Sequence, residues 1–168
     1  MSRLLALMAL IDFGLLSIAT VLGFGHVAGA PGGAHIGVAL AAAVFTLITH
    51  CAVFTYLIGT GIGIGEAVDG HRLPEELKRR AARFKARAFP FALFSMLLVI
   101  LTAALGARVD IGTGGPMPHL ASALIALAFN LWTYPIEIRV AAENAELMAE
   151  INVLAEQMLE RESLSRSA

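Results

Sequence analysis

Four apolar runs, each about as long as a bilayer is thick, decide what this chain can become. About 20 consecutive apolar residues cross the hydrocarbon core as a helix. In lipid such a segment must satisfy its own backbone hydrogen bonds, which leaves the helix as the form for isolated runs. The runs are residues 4–24, 36–65, 89–107 and 119–140. Only 15% of the residues are charged, against about a quarter in soluble domains, so the runs have no polar faces with which to build a water-soluble bundle. The expected fold is an all-α integral membrane protein: a four-transmembrane-helix bundle of two tandem helical hairpins over residues 1–140. Residues 141–168 form a cytoplasmic amphipathic helix and tail, with disorder expected after about Glu162.

The first run resembles a signal peptide, with Arg3 ahead of it and Ala28-Gly29-Ala30 as a cleavage pattern. Its length, Asp12 within it and Pro31 after the cut favour a retained helix. Gly- and Pro-rich turns at residues 25–35 and 108–118 suit tight hairpins. The connector at residues 66–88 is different. It holds seven Lys/Arg and four Asp/Glu, and the other two connectors hold only Arg108. The positive-inside rule then places this connector and both termini in the cytoplasm, in a bacterial inner membrane. The connector reads as a separate short helix that starts at Pro74. Glu75/Arg79 and Glu76/Arg80 would pair at i,i+4, and its cations face water or anionic lipid headgroups.

Beyond the fourth run, Val140, Asn144, Leu147, Ile151, Leu154 and Met158 repeat at heptad spacing. Such a seam pairs with a second copy or another membrane subunit through residues 140–158. Alternatively, this acidic helix folds back on the basic connector. The expected partners are the bilayer and such subunits. With a net charge of −1, nucleic acid is not expected.

The segment from His35 to His50 aligns without gaps on the segment from His119 to Tyr134. His35 meets His119, Thr46 meets Asn130, Thr49 meets Thr133 and His50 meets Tyr134. Two hairpins in the same orientation imply a pseudo-two-fold axis along the membrane normal.

Ionisable groups inside a membrane span are costly and mark function by default. At about 1.5 Å per residue, Asp12 and His50 lie at similar depth, with Thr46, Asn130 and Tyr134 in the same half. This cluster would relay a proton or hold a quinone headgroup, or else make a single bond from Asp12 to His50. Near the opposite surface, His35 and His119 are candidate axial ligands of a b-type haem. With His26 and Asp110 they would instead bind Zn or Cu, or else no cofactor at all. Glu137, Arg139 and Trp132 read as an interfacial anchor, with Glu137 alternatively a quinone-site or proton-entry carboxylate.

Cys51 is the single cysteine and reads as a small buried hydrophobe. Gly59-Thr-Gly-Ile-Gly-Ile-Gly65 lacks the spacing of a nucleotide loop. Its overlapping GxxxG pairs suit close helix contact or a break in the long second run. No motif of a soluble enzyme is present, so the chain is expected not to be an enzyme on its own. The leading reading is a small subunit of a larger membrane assembly, with electron transfer through a haem as its candidate role. The runner-up is a small oligomeric transporter or proton-conducting protein. A membrane enzyme with a histidine-bound metal at the outer face ranks below both.

Overall fold

A computed structural model describes residues 1–29 and 32–167, apart from the side chains of Val27, Glu162, Arg166 and Ser167. Four helices follow one another: α1 Ser2–Val27, α2 Gly33–Gly70, α3 Glu76–Asp110 and α4 Pro116–Ser167. All four are long and apolar enough to cross a membrane. Each helix packs on its neighbours in the order α1, α2, α3, α4 and back to α1. The pair α2/α4 also touches across one diagonal, whereas α1 and α3 make no contact among the described residues. The surface is inverted relative to a soluble bundle. Leu10, Val21, Leu40 and Ile62 are well exposed, while Asp12, His50, Asn130 and Glu137 are buried. That is the arrangement expected when the surrounding solvent is lipid.

The two hairpins match in detail. Gly29 and Gly112 each follow the end of an odd-numbered helix with positive φ, 99° and 72°, a conformation that a side chain would oppose. Gly29 N–H donates to His26 O and Ala28 N–H to Phe24 O. In the second hairpin Gly112 N–H donates to Val109 O and Ile111 N–H to Ala107 O. Each of these residues lies 83 positions after its counterpart. The first hairpin turn includes Ala30 and Pro31, which lie outside the described residues, as does the end of the Ala28-Gly29-Ala30 pattern.

Several expectations need correction. The connector is not a separate helix. It is the end of α2, a turn at residues 71–75 with Arg72 at φ 53°, and the start of α3. Pro74 lies before the helix, whose N-cap is Glu75. The i,i+4 pairs do not form. Arg79 and Arg83 both pair with Glu76, at 2.7 and 2.6 Å, and Lys78 with Asp69 and Glu75, at 2.6 and 3.0 Å. α2 is unbroken through residues 59–65. Only Gly61 in that stretch meets a neighbour, where an added Cβ would lie 3.0 Å from Lys85 Nζ. The glycines therefore bring no helix backbones together there. Cys51 is exposed rather than buried, because it lies on the outward face of α2.

α4 continues through Pro135 and past Glu162 to Ser167 as one helix. Its heptad seam is covered by the chain itself. Val140, Leu147 and Ile151 are buried among Val68, Leu73, Leu77, Ala81 and Phe84. Arg80 pairs with Glu150 at 2.7 Å, and Arg87 with Glu143. The acidic part of α4 thus packs on the basic connector, which covers Val140, Leu147 and Ile151, while Leu154 and Met158 are only partly buried.

Candidate functional site

Two layers of polar residues occupy the bundle, one toward the hairpin turns and one toward the connector. The layer near the turns is made of histidines and surrounds a cavity of about 510 Å³. His35 on α2 and His119 on α4 face each other across the short diagonal, with ring centroids 6.0 Å apart. Each ring is held in the same way. His35 Nδ1 lies 3.1 Å from Ala19 O, and His119 Nδ1 lies 3.0 Å from Thr102 O. A carbonyl only accepts, so both Nδ1 atoms carry hydrogen, and in the neutral ring Nε2 keeps the lone pair. Each ring also rests on a glycine one turn along the same odd-numbered helix. A Cβ at Gly23 would lie 3.0 Å from His35 Cε1, and one at Gly106 would lie 2.9 Å from His119 Cε1. His26 stacks near His35 at 6.1 Å, and Asp110 lies on the cavity rim. Among the described residues no group of three His, Cys, Asp or Glu is placed to hold a metal ion.

The second layer is closed and fully packed. Thr46 and Tyr134 both donate to Asp12, at 2.7 Å each and to different carboxylate oxygens. His50 lies 2.8 Å from Glu137 through Nδ1 and 2.8 Å from Asn130 through Nε2. The rings of His50 and Tyr134 stack at 5.9 Å. Ser95 donates to Thr133 at 3.2 Å on the α3 side. The five residues expected from the sequence do come together, but not through a bond from Asp12 to His50. They form two groups, one around Asp12 and one around the pair of His50 and Glu137.

Glu137 is the member that sequence reasoning misplaced. It is 2% exposed, whereas Trp132 and Arg139 face outward. The signal that could have found it was helical spacing. Asn130, Thr133, Tyr134 and Glu137 recur at three and four residues and share one face of α4.

The two layers meet at two carbonyls. Ala42 and Ala126 line the cavity floor, and their oxygens accept from Thr46 at 2.9 Å and from Asn130 at 2.8 Å. No family model, no curated protein and no solved structure matches the chain.

Proposed function

We propose that this chain is an electron-transferring membrane subunit in which His35 and His119 hold one b-type haem between α2 and α4. The observation that carries this reading is the paired histidine station. Both rings direct Nδ1–H to a backbone carbonyl, the orientation that prepares the other nitrogen as a ligand. Two imidazoles bound at about 2.0–2.1 Å on opposite sides of one metal would have centroids about 6 Å apart, which agrees with the observed 6.0 Å. The cavity has the size of sites that take cofactor-sized ligands, about 300–1,000 Å³, and Leu16, Ile36, Leu40, Val99 and Leu120 give it apolar walls. A cleft of this size with apolar walls suits a large apolar guest better than a bare Zn or Cu ion.

In this reading the chain's own residues do three things. His35 and His119 fix the guest along the short diagonal, the glycines behind them set the ring positions, and the apolar walls exclude water. A haem held there supplies one-electron exchange. The charge distribution favours a connector end in the cytoplasm, with the cavity toward the opposite surface. Any partner subunit would meet the lipid-facing surface or the outward side of α4, since the heptad seam is covered.

The test is an absorption spectrum of the purified protein, oxidised and dithionite-reduced, with haemin titrated into any preparation that lacks pigment. A Soret band that shifts on reduction, and that disappears in the His35→Ala/His119→Ala double variant, is expected. An unchanged band in that variant, or no band after titration, would sink the reading. Metal analysis that finds stoichiometric Zn or Cu without haem would replace it.

The second reading, a small transporter or proton-conducting protein, draws on the closed network of Asp12, His50, Tyr134 and Glu137. Proton flux into liposomes that is lost in Asp12→Asn would favour it.

A further inference from the structure

The protons held by the buried network can be assigned from its acceptors. Asn130 donates through Nδ2 to Ala126 O, so the atom it turns to His50 is an amide oxygen, which only accepts. His50 Nε2, 2.8 Å from that oxygen, therefore carries hydrogen. His50 Nδ1 and Glu137 Oε1, also 2.8 Å apart, must then have at least one proton between them, because two lone pairs would repel at that distance. The shared proton makes either an ion pair or a neutral imidazole beside a carboxylic acid. The net charge of this pair is zero in both cases.

The Asp12 half behaves differently. The Tyr134 hydroxyl donates to Oδ2 whether or not Asp12 is ionised. Thr46 has one hydroxyl hydrogen and two acceptors within reach, Asp12 Oδ1 at 2.7 Å and Ala42 O at 2.9 Å. With Asp12 ionised, that hydrogen points to the carboxylate. With Asp12 protonated at Oδ1, the acid donates to Thr46 Oγ1 and the hydroxyl turns to Ala42 O. Both forms are satisfied with every heavy atom in place, so neither leaves an unpaired polar group in the dry interior.

We propose that Asp12 is a reversible proton-binding site that exchanges its proton with water, both states being accommodated by rotation of the Thr46 hydroxyl between the Asp12 carboxylate and the Ala42 carbonyl. Among the described residues α1 packs on α2 and α4 only. The titratable groups that face Asp12 are His50 from α2, and Tyr134 and Glu137 from α4. His50 and Glu137 are neutral as a pair and Tyr134 is a phenol donor. While that pair keeps its single proton, Asp12 is the member whose protonation changes the charge of the network. The proposal rests on the hydrogen bonds alone and stands with either reading of function.

The test is infrared spectroscopy of the protein in lipid vesicles as pH is stepped, in H2O and D2O. A protonated-carboxyl band that grows as pH falls and shifts in D2O is expected, and it is absent in Asp12→Asn. Thr46→Ser, which keeps the rotor, leaves the midpoint in place. Thr46→Val, which removes it, moves the midpoint by at least about half a pH unit. If the Asp12→Asn variant does not fold, the two Thr46 variants decide. No titrating band in the unsubstituted protein, a band that survives Asp12→Asn, or a Thr46→Val titration that matches the parent overturns the proposal.

Discussion

The histidine layer and the carboxylate layer are built from the same repeat positions but treat them in opposite ways. Near the turns the two hairpins keep identical residues: His35 with His119, and Gly23 with Gly106. Toward the connector the matched positions diverge: Thr46 with Asn130, His50 with Tyr134, Asp12 with Ser95, and Val53 with Glu137. The divergence has a physical reason. Groups that meet directly in a dry interior need a donor opposite an acceptor, and two copies of one residue on a pseudo-two-fold axis rarely supply both. Groups that meet through a guest can stay identical, because the guest completes the bonding. In the proposed reading, identity around the cavity and complementarity in the packed layer separate a site for a guest from a site that satisfies itself.

The largest expected difference between the layers is in stability. Glu137→Ala leaves His50 facing an unpaired cavity in the closed layer, and a loss of about 3 kcal/mol is expected. His119→Ala, without bound haem, should cost less than about 1 kcal/mol, since its hydrogen bond to Thr102 O is only partly buried and water can replace it. Reversible denaturation in mixed micelles measures both, and equal losses would break the comparison.

A smaller effect sharpens it from the other side. Gly106→Ala puts a methyl against the His119 ring and should weaken haemin binding about tenfold, or about 1.4 kcal/mol. Gly37→Ala has open space around its Cβ and should leave the affinity unchanged. The infrared titration of the carboxylate layer should be the same in both variants.

The smallest effect lies outside both layers. Arg83 and Arg79 beside Glu76 hold its carboxyl below its usual range. A lowered folded-state value adds stability above the ordinary carboxylate range and loses it as pH falls through that value. Glu76 is exposed, so the contribution is screened. In acid, Glu76→Gln should flatten only a minor part of the stability loss, and high salt should have the same effect. A large change would mean that the connector contributes more than either layer.

The sequence by itself determined the four helices, because apolar runs of bilayer length have one way to satisfy their backbone in lipid. It also carried the pattern read as a hairpin repeat, and the membership of the carboxylate cluster except for Glu137. Depth along a helix follows from residue count, so Asp12, Thr46, His50, Asn130 and Tyr134 could be placed at one level before any contact was known. Rotation about the helix axis does not follow when the whole helix is apolar. For that reason Glu137 looked interfacial and Cys51 looked buried, until packing turned one inward and the other outward.

Only the tertiary structure decided which hydrogen bonds form, that the heptad seam is covered by the chain's own α2 and α3, and that the paired histidines line one cavity. Each depends on distances between helices far apart in sequence. The bonds of 2.7 and 2.8 Å that join Asp12 to Tyr134 and His50 to Glu137 exist only once the helices have chosen their faces. The sequence places the residues of the site at the right heights, and the packing of α1, α2 and α4 turns them into one closed layer and one open pair.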